Sequence, residues 1–309
     1  MSDVALALIL LGLSAYLLFG GADFGAGVWH LTARGAEDRK VIEHAMAPVW
    51  EANHVWLIFV MVMTWSAFPP VFADVMGSHW VPLSLAVLGI VIRGSAFVFH
   101  KAVPDGAYGW AFGVSSLLTP FCFGAVAGAV ATGERWLGPV GIYAGVLTCA
   151  LCAYLAAVYL TWDARRIAPS ATADLFRRRA LATGAVVGAL ALPGAVGLGV
   201  RSPLLFLSAA AGLVSLALLV ARRYVAVRAS AALAVGSVLW GAASLADLDL
   251  DGAAASDASL TVVYGALGVG ALFLVPSLVW LYVLFQRAEP PASEPVTESG
   301  ENLRLRPHN

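Results

Sequence analysis

The sequence predicts an all-α, polytopic membrane protein, and three observations lead there. Hydrophobic residues make up 60% of the 309. Only 12% are charged, against about 25% in an ordinary soluble domain. The apolar residues also gather into runs long enough to cross hydrocarbon, which takes roughly 20 residues per helix. Lipid offers the backbone no hydrogen-bond partners, so each run is expected to be helical. The net charge of -1 says little about partners and gives no sign of nucleic-acid binding. In a membrane chain the informative quantity is which loops hold the basic residues.

Nine runs follow one another, within a few residues at each end: 4–28, 49–69, 79–100, 109–132, 139–162, 180–200, 203–222, 228–247 and 260–286. The first lacks a basic leading segment and an A-x-A cleavage site, so it is read as a retained helix. It carries Gly21-Ala22-Asp23-Phe24-Gly25-Ala26-Gly27, a carboxylate among glycines that let another helix come close. The turn 32–47, with Glu37, Asp38, Arg39 and Lys40, reads as a solvated segment that continues the second helix backwards. The second run opens on Pro48-Val49-Trp50-Glu51-Ala52-Asn53-His54-Val55-Trp56-Leu57, which puts Glu51 where hydrocarbon should be. The third holds Arg93, the natural counter-charge. Cys122, Cys149 and Cys152 all lie inside apolar runs, an odd number without extracellular spacing, so no disulfide framework is expected. Small apolar packing is the reading for Cys149-x-x-Cys152, since redox chemistry needs an electropositive, accessible setting.

The runs 180–200 and 203–222 are separated only by Arg201 and Ser202, with Pro203 ready to start a helix. Fusing them would give eight helices, and basic residues decide against that. With nine, fifteen Lys and Arg fall in loops on one side and two, Arg135 and Arg201, on the other. Fusion would move Arg222, Arg223, Arg228 and the last arginines across and remove the bias. By the positive-inside rule the N-terminus is outside and the C-terminus cytoplasmic. Asp23, Glu51 and Arg93 then share the cytoplasmic half. On the outer side, Asp247, Asp249, Asp251 and Asp257 form an acidic loop whose glycine and glutamate are misplaced for an EF-hand. The tail 287–309, rich in Pro, Glu and Ser, is expected to be disordered.

An acidic residue at membrane depth usually faces a protein interior or water and marks an ion or proton path. Glu51, His54 and Asp23 therefore have three readings: metal ligands, steps in a proton relay, or charges satisfied by Arg93. Glu51 and His54 lie three apart on one helical face, and Glu-x-x-His is a di-iron ligand pattern, but that pattern needs a second copy. Asp23 and Arg93, at matching depth, are most simply a salt bridge between the first and third helices, because an unpaired buried charge costs several kcal/mol. Trp50, Trp56 and Trp65 suit an interface or packing against a neighbouring helix or cofactor. His54, with Met61, Met63 and Met76, could be tested for haem ligation, although a lone histidine among apolar residues is more often a hydrogen-bonded core residue.

The combination Gly21-x-Asp23-x-Gly25-x-Gly27, then Pro48-x-Trp50-Glu51-x-Asn53-x-Val55-Trp56-Leu57, then Arg93, in successive helices, closely resembles subunit II of cytochrome bd-type quinol oxidases. The stretch from Ala258 to Pro276 resembles the family's last helix. The resemblance implies two four-helix bundles, 1–132 and 139–247, plus one peripheral helix, 260–286. It implies a heterodimer with a similar subunit I that carries haems of b and d type and the quinol site, and that reduces oxygen to water without a proton pump. Membrane lipid and small single-helix accessory subunits complete the expected partners, and no haem or metal is expected on this chain alone. In the resemblance Glu51 stands where many members have Asp and lines the proton route, and Trp56 matches a tryptophan proposed for oxygen access. Asp23 and Arg93 match buried acidic and basic positions. Short loops leave little room for a structural quinone, and Glu-Ala-Asn-His looks more like the cyanide-insensitive branch than Asp-Gly-Asn-Gln does. The alternative from another class is a secondary transporter or proton channel built on the same intramembrane charges.

Overall fold

Every apolar run carries helix in the computed structural model, which describes residues 1–33, 35–46, 50–99, 105–197, 202–245 and 249–287. The first run is one continuous helix, Ser2–Leu31, made of α1 (Ser2–Ala15), a π-helical turn (Tyr16–Gly20) and α2 (Gly21–Leu31). It is followed by α3 (Ala36–Met46), α4 (Trp50–Ala67), α5 (Pro69–Ser78), α6 (Trp80–Phe99) and α7 (Asp105–Thr132). Then come α8 (Pro139–Ile167), α9 (Ser170–Gly197), α10 (Pro203–Val220), α11 (Tyr224–Leu245), the short α12 (Leu250–Ala253) and α13 (Asp257–Arg287). Proline starts α5, α8 and α10, where its missing N–H would have no partner anyway. Among the described residues seven helices are long and apolar enough to cross a membrane. The run 49–69 falls short of that because its described apolar stretch is only Asn53–Ala67. The run 180–200 forms the second part of α9, whose first part carries Asp174 and Arg177 to Arg179. The expected tail lies outside the described residues, apart from Arg287 at the end of α13.

The chain divides after Ser256 into two compact units. In the first unit α2 is wedged between α7 and α8. Its glycines explain how. A Cβ on Gly25 would run into the carbonyl of Cys152 on α8, and one on Gly27 into the hydroxyl of Ser116 on α7. Gly21 is different, since a Cβ there would meet the Cys152 sulfur at an ordinary 3.4 Å. We expect Gly25→Ala to force α2 and α8 apart and cost about 1–3 kcal/mol, as overpacking does. Its melting temperature in detergent should fall, while Gly188→Ala, with nothing within 4 Å of the new carbon, should match the parent. The second unit is described by α13, a single apolar helix.

α9 is opened at Pro193, which brings no N–H to the helix. The Tyr143 hydroxyl of α8 enters the gap: it donates to the carbonyl of Leu190 and accepts from the N–H of Gly194 at 3.1 Å. A side chain inserted into the backbone ladder is a recognised cause of a helix kink.

Several basic turns meet at one end of the first unit. Arg179 donates to the carbonyl of Thr32 at 3.2 Å and stacks on Trp29. Arg222 pairs with Asp174 at 3.5 Å, and Arg165 stacks on Tyr224. Of the acidic loop, Asp247 lies outside the described residues. Asp249 caps α12 through Gly252 N–H at 2.9 Å, and Asp251 accepts from the Ser2 hydroxyl at 2.7 Å. Helix capping and a tie to the first helix account for these two carboxylates.

Candidate functional site

Three helices bring one charge centre together: α2 with Asp23, α6 with Arg93 and α7 with Ser116. Asp23 is 4% exposed and Arg93 1%, so both charges are out of reach of solvent. The guanidinium fork meets the carboxylate with two hydrogen bonds, Nη1 to Oδ2 at 3.0 Å and Nη2 to Oδ1 at 2.9 Å. Nη2 also donates to the backbone carbonyl of Asp23 at 3.0 Å, and Nε to the Ser116 hydroxyl at 3.0 Å. Rings lie against the cation from two helices, Phe24 at 5.2 Å and Phe112 at 4.9 Å. A bidentate pair of this kind is the geometry in which a buried ion pair recovers its desolvation cost, provided the remaining donors are satisfied. Ser116 reaches Arg93 only because Gly27 leaves it room.

Next to this centre the first helix widens. The Gly21 N–H bonds to the carbonyl of Tyr16, five residues back, the mark of a π turn, and such turns are frequent at functional sites. α4 docks on it. Asn53, 5% exposed, donates from Nδ2 to the Phe19 carbonyl at 3.3 Å. His54 follows, with its ring 6.3 Å from Tyr16 and 6.3 Å from Phe24. The sequence suggested a hydrogen-bonded core histidine, yet its Nδ1 is enclosed with no hydrogen-bond partner among the described residues. Trp56 is half-buried and packs on the cluster of Tyr16, Phe24 and Cys152. The backbones of Trp50 and Glu51 belong to the first turn of α4, and their side chains lie outside the described residues.

The haem pairing of His54 with Met61 or Met63 does not fit the geometry of α4. Met61 and Met63 are seven and nine residues on from His54, about 10 and 13 Å along a helix at 1.5 Å per residue, too far to share an iron with it. Among the described residues no group of three His, Cys, Asp or Glu side chains is placed to hold a metal ion. Cys122, Cys149 and Cys152 are free, with Cys149 directed at the carbonyl of Leu117.

The sequence reading missed Tyr16, Ser116 and the rings of Phe24 and Phe112. It also missed His30, 4% exposed, which meets Glu43 of α3 at 3.3 Å and packs on Tyr108 and Phe112. His30 ends the same buried face of α2 that carries Asp23, seven residues earlier, and that spacing is a signal that was available.

Comparison with known proteins follows the same lines. The family model for cytochrome bd terminal oxidase subunit II matches residues 1–285. The chain is 28% identical over 114 residues to the cytochrome bd ubiquinol oxidase subunit 2 of Bacillus subtilis (strain 168), covering 35% of this chain and 34% of that protein. It is 23% identical over 215 residues to the cytochrome bd-I ubiquinol oxidase subunit 2 of Escherichia coli (strain K12), covering 62% of this chain and 57% of that one. The match thus spans less than two thirds of either relative's length. The structure of bd oxidase from Geobacillus thermodenitrificans has the same fold, with a TM-score of 0.69 and 21% identity over 93% of this chain and 99% of that chain.

Proposed function

Because this chain belongs to the cytochrome bd terminal oxidase subunit II family, we propose that it is the non-haem subunit of a quinol oxidase in a bacterial cytoplasmic membrane. It spans that membrane nine times, N-terminus outside and C-terminus in the cytoplasm, in two four-helix bundles and one peripheral helix. It pairs with a subunit I whose haems supply electron transfer and oxygen reduction. The transporter alternative gives way to the family assignment, which rests on a match over residues 1–285.

The observation that carries the proposal is the buried Asp23–Arg93–Ser116 centre, near the helix whose first turn includes Glu51. In this reading the chain does two things. The charge centre locks α2, α6 and α7 into one body on which subunit I assembles. Glu51, at the cytoplasmic start of α4, takes protons from that side, because an acidic residue at membrane depth marks an ion or proton path and a carboxyl can both accept and release a proton. Trp56, beside the aromatic cluster, borders the path by which oxygen reaches subunit I.

Co-expression with subunit I tests the assignment. The pair is expected to purify together with haem and to oxidise quinol with uptake of oxygen. A pair that never associates, or an active subunit I that is indifferent to removal of this chain, would sink it. The purified chain alone should show no stoichiometric haem absorbance, and a full haem spectrum there would overturn the non-haem role.

A further inference from the structure

Two buried polar atoms in the π-turn region have no hydrogen-bond partner among the described residues. Tyr16 is 8% exposed, and its hydroxyl is enclosed without a hydrogen-bond partner among the described residues. The same is true of Nδ1 of His54. The two groups come from different helices and meet in one aromatic cluster. Their ring centroids are 6.3 Å apart, Phe24 is 6.4 Å from Tyr16, and Phe123 closes the cluster at 6.1 Å from Tyr16. Buried polar groups are rarely left this way: they find protein partners or ordered water. One water removes both deficits at once. Two groups bridged by a water stand up to about 5.5 Å apart, twice a hydrogen-bond length.

The backbone keeps the place open. The π turn widens the helix at Tyr16, whose ring lies along the turn with its edge 3.0 Å from where a Cβ on Gly20 would stand. Asn53 holds α4 to the same turn through the Phe19 carbonyl. His54 therefore cannot drift off without breaking that bond.

We infer that an ordered water lies between Tyr16 and His54, accepting from the Tyr16 O–H and from the Nδ1–H of His54, and that His54 and this water carry protons inward from Glu51: Nε2 takes a proton as Nδ1 releases its own to the water, which the Tyr16 hydroxyl holds in place. His54 stands one turn beyond Glu51 on the same helical face. An imidazole gains a proton on one nitrogen and gives one up from the other, one N–H bond forming as the other breaks. The inference rests on the proposed proton intake at Glu51.

The test uses the assembled complex with subunit I at full haem content. A map that resolves solvent should show a peak within about 2.6–3.2 Å of both Tyr16 Oη and His54 Nδ1, absent in Tyr16→Phe. Turnover of Tyr16→Phe should fall at least about fivefold, within the range that a positioned proton-transfer group contributes, with a larger solvent deuterium isotope effect. His54→Asn keeps a hydrogen-bonding group near the place of Nδ1, so it should retain the water and still lose turnover, because an amide does not carry protons. An empty pocket, a subunit I side chain on these two atoms, or parental turnover and isotope effect in both variants would each overturn the inference. If Glu51→Gln slows the enzyme and these variants do not, the relay alone fails. If none of the three slows it, proton delivery by this chain fails as well.

Discussion

Arg93→Leu should abolish most of the assembled complex. The substitution leaves the Asp23 carboxylate buried without its two guanidinium bonds, and breaking a buried pair from one side costs roughly 3–5 kcal/mol. It also strips Phe24 and Phe112 of the cation they enclose and Ser116 of its donor. That is a large share of the 5–15 kcal/mol by which a domain is usually stable. Asp23→Asn should be milder in kind, because the amide oxygen still accepts one bond, yet it leaves a buried guanidinium uncompensated. The double variant Asp23→Asn/Arg93→Leu should recover part of the loss, since no charge then remains in the interior. The measurement is complex yield and haem content after purification. Single variants that assemble at parental level and lose only turnover would give the pair a chemical task instead.

Glu51→Gln should assemble, retain haem and reduce oxygen slowly. The amide keeps the size and much of the hydrogen bonding of the carboxyl, so packing at the start of α4 should survive. It removes the one property the proposal needs, exchange of a proton. If proton delivery limits turnover, the rate should fall by about tenfold or more, while Glu51→Asp keeps partial activity because a shorter carboxyl still titrates. Oxygen consumption normalised to haem decides the matter. Parental turnover in a Glu51→Gln complex of normal haem content would take Glu51 off the proton path.

The membrane class and the positions of the apolar helices were determined by the sequence alone, because hydrocarbon imposes the same demand on each run separately: about 20 apolar residues with every backbone group bonded inside the segment. The same logic singled out Asp23 and Arg93 as partners, since two opposite charges at one depth in a dry medium have few other ways to be satisfied, and they lie 2.9 Å apart. Gly25 and Gly27 were legible as places of close approach, but which helix approaches was not: Gly25 faces α8 and Gly27 faces α7. Only the tertiary structure decided that, and with it Ser116 and Phe112 as the surroundings of Arg93. Nor does Tyr16 announce itself, because a π turn is a one-residue change in hydrogen-bond register that leaves hydropathy untouched. The opening of α9 by Tyr143 depends on a side chain 47 residues from the carbonyl it reaches. Hydropathy is a property of each segment by itself, whereas the partners of a buried polar atom are set by which helices meet, and at what rotation.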